Sequence, residues 1–285
     1  MNGTGKLAGI LGWPITQSLS PRMHGAWIEE YGVNGAYVPF AVRPEDFWTV
    51  VNALKLAGFK GVNVTVPHKE AAFALAARHD AAAQTIGAAN LLLFGEDGIE
   101  ARNTDVLGLG ASVVESLGAK AVKSRPVAVW GTGGAARAAI AALSLLGASQ
   151  VRILGRNRAR AGNLAAALTP HVGAALAGLG LEDWAEAGRG IALLVNATSA
   201  GMNGTPSIDL PLDVMPGDAA VLDAVYNPLR TELLGRAAQR GLRTIDGLGM
   251  LMHQAVPAFE ALFGVRPKVD ARLRRILEEA LARGR

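Results

Sequence analysis

The chain has 285 residues, 50% of them hydrophobic and 18% charged, which excludes intrinsic disorder and suits one large or two modest domains. It has no cysteine, which excludes disulfides and thiolate metal sites and favours a reducing, cytoplasmic compartment. Its net charge of +4 comes from scattered basic residues, aromatic residues are few, and no apolar run reaches the ~20 residues of a membrane span. Composition therefore predicts neither a nucleic-acid partner nor a membrane partner.

The first hundred residues alternate short apolar runs with helical patterns. Strands are predicted at 7–11, 36–42, 61–66 and within 86–94, and helices are predicted to begin near Pro21, Pro44 and Pro67. Ser20 precedes the first of these prolines, so we expect it to cap that helix. The stretch Asn103-Thr104-Asp105 is typical of a crossover into a second domain.

The segment from Arg125 to Leu143 has the pattern of a dinucleotide-binding turn. The apolar run 127–130 predicts a buried parallel strand, and the Ala-rich run 135–143 predicts a helix. Glycines between them would let the backbone approach a pyrophosphate at the helix N-terminus. The candidate cofactor-binding residues here are Gly131, Thr132, Gly133, Gly134 and Ala135.

The next predicted strand, 151–154, is followed by arginines instead of an acid. In NAD-binding proteins this strand end carries an Asp or Glu for the ribose 2′-hydroxyl. A guanidinium can instead pair with a 2′-phosphate, so the sequence favours NADP over NAD. The candidates are Arg156, Asn157 and Arg160, whereas Arg158 is better interpreted as part of a solvated helix start.

The remaining pattern predicts a doubly wound α/β fold. Strands are predicted at 193–198, 220–226 and 243–245, and helices at 161–168, 231–240, 247–263 and 270–283. We predict an N-terminal α/β substrate-binding catalytic domain at 1–105 and an NADP-binding Rossmann domain at 106–247. Helices in 248–285 are expected to return to the first domain.

Polar residues gather at the ends of the predicted strands, where ligands bind in open α/β sheets. They are Ser18, Ser20, Asn63, Thr65, Lys69, Asn90 and Asp105, and Gln254 lies in a later helix. A hydride-transfer enzyme needs hydroxyls and amides to hold a polar substrate, and a Lys paired with an Asp can supply the proton. The five histidines lack metal-ligand spacing, so we expect no metal.

Eight ordered motifs resemble those of shikimate dehydrogenases over nearly the whole chain. They are GWPITQSLSP, NVTVPHK, GAAN, NTD, GTGGAARA, NATSAGM, DAVYNPLRTELL and GLGMLMHQA. The resemblance implies NADPH-dependent reduction of 3-dehydroshikimate to shikimate, in the pathway to chorismate and the aromatic amino acids. It also implies a monomer or homodimer that takes a small-molecule substrate.

The resemblance also implies residue roles. Lys69 and Asp105 match the catalytic pair, and Ser18 and Ser20 match the serines that hold the substrate carboxylate. Thr65, Asn90 and Gln254 match residues that bind substrate hydroxyls, while Asn63 and Tyr226 match positions lining the same pocket. Thr198, Gly247 and Met250 complete the candidate cofactor-binding residues.

The chain departs from the family pattern at Trp13, Gln17, Gly25, Leu91 and Asn157, none of which belongs to the catalytic pair. Trp13 stands where the family usually has Asn or another polar residue. Two alternatives stay open: a quinate/shikimate dehydrogenase with relaxed substrate or cofactor use, and a non-catalytic NADP-binding sensor. The intact Lys69 and Asp105 favour an enzyme, because a sensor needs no proton donor.

Overall fold

The computed structural model describes residues 1–283, so 284 and 285, the end of the predicted 248–285 segment, lie outside it. The chain divides into two compact units. The first comprises Met1–Thr104 and Met252–Arg285, and the second comprises Asp105–Leu251. No helix of the described residues is long and apolar enough to cross a membrane.

The first unit is built on a mixed sheet with the order β2-β1-β3-β5-β6-β4. Its elements are β1 (Lys6–Gly12), α1 (Ser20–Glu30), β2 (Gly35–Ala41), α2 (Phe47–Leu56), β3 (Gly61–Val64), α3 (Lys69–Leu75), β4 (Arg78–His79), α4 (Ala81–Ile86), β5 (Leu91–Gly95) and β6 (Gly98–Arg102). Strand β1 pairs in parallel with β2 and β3, so all three end at the same edge. Strand β5 runs antiparallel to β3 and β6. Buried aliphatic and aromatic residues, among them Leu11, Val51 and Leu92, form a core on this sheet.

The prediction that a strand includes 86–90 is wrong. Residues Ala81–Ile86 form α4, whose N-terminus is capped by the Asp80 side chain. The helix ends at Gly87, which has a φ of 64°. The left-handed conformation is cheap only for glycine, so it ends the helix here and the chain enters β5 at Leu91.

The second unit contains a parallel sheet of the doubly wound type. Its elements are α5 (Asp105–Leu117), β7 (Pro126–Trp130), α6 (Gly134–Leu145), β8 (Gln150–Gly155), α7 (Arg158–Leu168), β9 (Ala175–Gly180), α8 (Trp184–Ala187), β10 (Leu193–Asn196), β11 (Ala220–Asp223), α9 (Glu232–Gln239) and β12 (Arg243–Ile245). The order β12-β11-β10-β7-β8-β9 has the Rossmann arrangement, with the strand order reversing between β7 and β10. The chain then continues as α10 (Gly247–Phe263) and α11 (Ala271–Ala282).

Strand β9 was not predicted, because Ala and Gly dominate it and neither favours strands. It pairs with β8 at the edge of the sheet. A Cβ at Gly178 would lie 2.3 Å from the backbone nitrogen of Gly162, so α7 rests directly on this strand. Gly178 is therefore required by close helix–strand packing, a contact that periodicity does not reveal.

Candidate active site

Ser18 lies in the loop that connects β1 to α1, and Ser20 begins the helix. Ser18 is partly buried, Ser20 is 4% exposed, and the Ser20 backbone N–H donates to Ser18 Oγ over 3.3 Å. Ser20 is the first residue of α1, and Leu19 occupies the cap position without a side-chain cap. The expectation that Ser20 caps the helix is therefore wrong, because Ser20 already lies within the first turn and its hydroxyl bonds Tyr37.

A buried chain of hydrogen bonds joins this loop to β3. The Tyr37 hydroxyl donates to Asn63 Oδ1 over 2.8 Å, and Asn63 Nδ2 donates to the Asn90 carbonyl over 3.1 Å. Burial raises the pKa of the Tyr37 phenol well above its ordinary value, and a hydrogen bond from Ser20 opposes that rise. Tyr37 therefore remains a neutral donor that holds two predicted substrate residues, Ser20 and Asn63, through one side chain.

The side chain of Asn90 forms a second buried cluster with Thr104 and Gln254. Asn90 Nδ2 donates to Thr104 Oγ1 over 2.9 Å and to Gln254 Oε1 over 3.2 Å. Asn90 Oδ1 accepts from the Thr104 backbone N–H over 2.8 Å. All three residues are less than 9% exposed. Amides and a hydroxyl converge here, a combination that can exchange hydrogen bonds with the hydroxyls of a polyol.

Thr65 and Lys69 follow β3. The Thr65 backbone N–H donates to the Leu11 carbonyl over 2.9 Å, which fixes the loop to the end of β1. A Cβ at Gly12 would lie 2.5 Å from Thr65 Cγ2, so glycine makes room for this side chain. Lys69 is the first residue of α3 and partly buried.

His68, which precedes Lys69, has a structural role. It is 2% exposed, its Nε2 lies 2.8 Å from the Val42 carbonyl, and its ring stacks on Phe47. These contacts anchor the start of α3 to the chain beyond β2, and with it the position of Lys69.

The glycine turn of the second unit has the features that the sequence predicts. Gly131 has a φ of 128°, and a Cβ there would lie 2.9 Å from the Ala197 carbonyl oxygen. Helix α6 begins at Gly134, with Gly133 as a cap residue that offers no side chain to the first N–H groups. A Cβ at Gly133 would have no atom within 4 Å. These N–H groups and the adjoining space suit a pyrophosphate.

The arginines after β8 differ in their surroundings. Arg158 pairs with Glu182 over 3.0 Å and Asp183 over 2.5 Å, so its guanidinium is committed to the second unit's own surface. Arg156 and Arg160 are exposed, and within residues 1–283 their side chains form no ion pair or hydrogen bond. Asn157 caps α7, its Oδ1 accepting from the Arg160 backbone N–H over 3.1 Å. Arg156 is thus available to an anion directly after the strand.

Thr198 lies in a hydrogen-bonded turn after β10. Its Oγ1 donates to Asn196 Oδ1 over 2.8 Å, and Asn196 Nδ2 donates to Asp223 Oδ1 over 2.8 Å. Asp223 also accepts from the Thr231 hydroxyl over 2.7 Å. Burial raises the pKa of the Asp223 carboxyl above its ordinary value, although these donors oppose the rise. The carboxyl fixes the turns that carry Thr198 and Tyr226.

The other predicted residues of the second unit lie at the ends of helices α5 and α10 or after β11. Asp105 begins α5 and is 5% exposed, and Tyr226 is partly buried. Gly247 begins α10, where a Cβ would lie 2.4 Å from the Ala224 carbonyl oxygen, so glycine allows a close approach to the end of β11. Met250 is 9% exposed in the same helix.

Sequence reasoning missed Tyr37, Thr104 and Asp223 as parts of the site's hydrogen-bonding network. Tyr37 lies in a strand whose pattern predicts core, and its polar contact, Asn63, is 26 residues away. Thr104 lies in the quoted NTD motif, which was a usable signal. No group of acidic, histidine or cysteine side chains in residues 1–283 could hold a metal ion.

Comparisons with known proteins match nearly the whole chain to one family. A family model described as the shikimate dehydrogenase substrate binding domain matches residues 10–92. A shikimate dehydrogenase (NADP(+)) of Paramagnetospirillum magneticum is 49% identical over 96% of this chain and 98% of its own length.

Two solved structures have similar folds. Quinate dehydrogenase from Corynebacterium glutamicum, in complex with NAD, has a TM-score of 0.88 and 31% identity over 96% of this chain and 99% of its own. Shikimate 5-dehydrogenase from Thermus thermophilus, in complex with NADP(H) and shikimate, has a TM-score of 0.83 and 34% identity, covering 98% of this chain and 100% of its own.

Proposed function

The chain belongs to the shikimate dehydrogenase family, and from this premise we propose that it reduces 3-dehydroshikimate reversibly to shikimate with NADPH. The observation that carries most weight is the buried cluster of Asn90, Thr104 and Gln254. A polar cluster is costly to bury unless it is satisfied, and a substrate rich in hydroxyls can take part in such a network.

The second unit supports the choice of cofactor. The uncapped start of α6 suits a pyrophosphate, and the exposed Arg156 suits a 2′-phosphate. When bound, NADPH supplies the hydride. The residues proposed to hold it are Gly131, Thr132, Gly133, Gly134, Ala135, Arg156, Asn157, Arg160, Thr198, Gly247 and Met250.

The first unit is proposed to bind most of the substrate. Ser18 and Ser20 would hold its carboxylate through hydroxyl donors. Its hydroxyls would be bound by Thr65, Asn90 and Gln254. Asn63, and Tyr226 of the second unit, are proposed to line the pocket. Since Asn63, Asn90 and Gln254 are buried and hydrogen-bonded, the amide groups are pre-organised rather than ordered on binding.

Lys69 and Asp105 are proposed as one acid–base unit. As the carbonyl carbon is reduced, its oxygen gains negative charge, and the Lys69 ammonium can stabilise that charge and donate a proton to the oxygen. In the oxidation of shikimate, the side chain would have to be the neutral amine, whose Nζ accepts the hydroxyl proton and becomes the ammonium again. The Asp105 carboxylate would orient the ammonium and share its protons, so the two side chains are proposed to act together.

Oxidation of quinate with NAD is the second candidate, favoured by the fold shared with the quinate dehydrogenase. Arg156 argues against NAD as the main cofactor. A non-catalytic sensor is the weaker alternative, because it would not need Lys69. The monomeric or homodimeric state and the cytoplasmic location stay predictions.

The proposed function is tested by following the absorbance of the reduced cofactor, NADPH or NADH, at steady state. Purified protein is mixed with shikimate or quinate, each with NADP and with NAD, in all four combinations. We expect the highest kcat/KM for shikimate with NADP. A preference for quinate with NAD would establish the second candidate. An absence of turnover in all four combinations would refute both enzymes and favour the non-catalytic sensor.

A further inference from the structure

Trp13, a position at which the sequence departs from the family pattern, contacts the side chain of Arg43. The guanidinium carbon of Arg43 lies 5.4 Å from the centroid of the Trp13 ring, a cation–π geometry. Trp13 is 41% exposed and Arg43 is exposed as well. Within residues 1–283, the Arg43 side chain has no acidic partner. The charge of this arginine is therefore not neutralised by the protein itself.

The pair lies at the edge of the sheet where the proposed substrate residues gather. Trp13 follows β1 and Arg43 comes two residues after β2. The Trp13 backbone N–H donates to the Val66 carbonyl over 3.0 Å, and the Val42 N–H donates to the Gly12 carbonyl over 3.1 Å. These bonds join the loops after β1, β2 and β3. Ser18 and Thr65 lie in the first and third of these loops, and Ser20 and Lys69 begin the helices that follow them.

A fixed cation at this edge would act on an anionic substrate. Stacking on Trp13 restricts the rotamers of the exposed Arg43, which keeps its charge at the carboxyl ends of the strands. An exposed charge raises the local concentration of a counter-charged ligand, and salt screens the effect. The serines supply hydrogen bonds but no charge, and the Lys69 ammonium is proposed to act on the carbonyl oxygen. Attraction of the carboxylate is therefore left to another cation.

We propose that Arg43, held by Trp13, is a further substrate-recognition residue that attracts the carboxylate of the substrate. The proposal rests on the dehydrogenase function proposed above. Arg43 is not catalytic, since its effect is on substrate capture.

The test compares Arg43→Gln with Lys60→Gln. Lys60 is also exposed but precedes β3, at the opposite edge of the sheet, so the second variant is a control for loss of one positive charge. At low salt we expect Arg43→Gln to raise the KM for shikimate about three- to five-fold and to leave kcat and the KM for NADP unchanged. At about 0.5 M salt the difference should shrink below about two-fold.

Two further measurements separate charge recognition from a structural effect. The methyl ester of shikimate lacks the carboxylate, so its KM should not change in Arg43→Gln. Trp13→Leu keeps the charge but releases the arginine, and should raise the KM for shikimate by a smaller factor.

An unchanged KM for shikimate in Arg43→Gln at low salt would overturn the proposal, as would equal effects in Lys60→Gln or on the ester. Wild-type protein that fails to oxidise shikimate would instead overturn the proposed function. The two failures are therefore distinguishable.

Discussion

Nη2 of Arg158 lies 2.5 Å from Oδ2 of Asp183, and the same oxygen accepts from the Gly180 backbone N–H over 2.8 Å. The start of α7 is thereby tied to the end of β9. Arg156, two residues earlier, has no such partner within residues 1–283. The two arginines therefore have different surroundings. Arg158 joins α7 to the end of β9, whereas Arg156 is available to bind a ligand.

Arg156→Ala should weaken NADP binding by about 1.5–3 kcal/mol, the usual contribution of a charged hydrogen bond, and should hardly affect NAD. Arg158→Ala is the matched control, because it removes the same charge from an arginine that is already paired. It should leave the ratio of NADP to NAD affinity unchanged. Dissociation constants for both cofactors, from quenching of protein fluorescence, decide the question. Equal losses for NADP and NAD in Arg156→Ala would refute its role at the 2′-phosphate.

The second unit was largely predictable, because its strands are apolar runs of standard length between glycine turns and helices. The strand order follows once the βαβ connections are right-handed. Strand β9 was not predicted, because its Gly178 is required by contact with α7. No local sequence pattern relates the residues that make this contact. In the first unit the turn Glu96-Asp97-Gly98 predicts the hairpin of β5 with β6, and the structure confirms it. The antiparallel pairing of β5 with β3 was beyond prediction, since no local pattern relates these two strands.

The candidate site was predicted as a set of residues but not as a network. Asn90 and Gln254 were both named from the family resemblance, yet their direct hydrogen bond joins positions 164 residues apart. Tyr37 was missed because a tyrosine in an apolar strand usually indicates core. Only the structure shows that its hydroxyl joins Ser20 to Asn63.

Substitution by alanine should affect stability differently at Gly131 and Gly133. Gly133 has an ordinary φ of −93°, and an added Cβ would meet no atom, so Gly133→Ala should fold with nearly unchanged stability. If phosphate lies against this turn, the methyl group should lower NADP affinity about ten-fold or more, a cost of at least about 1.4 kcal/mol. Thermal unfolding and NADP titration of the same sample separate the two effects.

Gly131→Ala serves as the contrast, because its φ of 128° and the Ala197 carbonyl at 2.9 Å both oppose a side chain. It should lose stability as well as NADP affinity. Unaltered NADP binding in a stable Gly133→Ala variant would contradict the proposed phosphate site.

Stability should decline in mild acid because of His24. This ring is 1% exposed, stacks on Tyr37 with centroids 3.9 Å apart, and has a pKa lowered by burial from 6.5 to about 3. Below pH 6.5 the unfolded chain takes up a proton on His24 that the folded protein does not bind until about pH 3. Lowering the pH therefore favours unfolding, by up to about 1.4 kcal/mol per pH unit, or about 2 kcal/mol between pH 6.5 and 5.

Urea unfolding at pH 7 and pH 5 tests this linkage. His24→Phe keeps an aromatic ring against Tyr37 but cannot titrate, so it should lose about 2 kcal/mol less than the wild type over this interval. His171→Gln, at an exposed histidine, should behave like the wild type. If His24→Phe loses as much stability as the wild type, the buried ring is not the source of the acid sensitivity.

The chemical step should depend on Lys69 and Asp105 as a unit. Without the ammonium, no side chain at this position stabilises the developing oxyanion or donates its proton, so Lys69→Ala should lower kcat by about 10²–10⁴-fold. NADP affinity should barely change, because the proposed phosphate contacts lie in the second unit and Lys69 lies in the first. Asp105→Asn should also be severely impaired, since it removes the charge that orients the ammonium.

The double variant distinguishes one coupled unit from two independent groups. Its loss of kcat should be clearly smaller than the product of the two single losses, because a proton donor that is already absent cannot be misoriented. The decisive measurement is kcat with shikimate and NADP both saturating, together with the dissociation constant for NADP. If the loss of kcat in the double variant equals the product of the two single losses, Lys69 and Asp105 act independently and not as one unit. Near wild-type turnover in Lys69→Ala would exclude it as the proton donor, and with it the acid–base mechanism proposed for this chain.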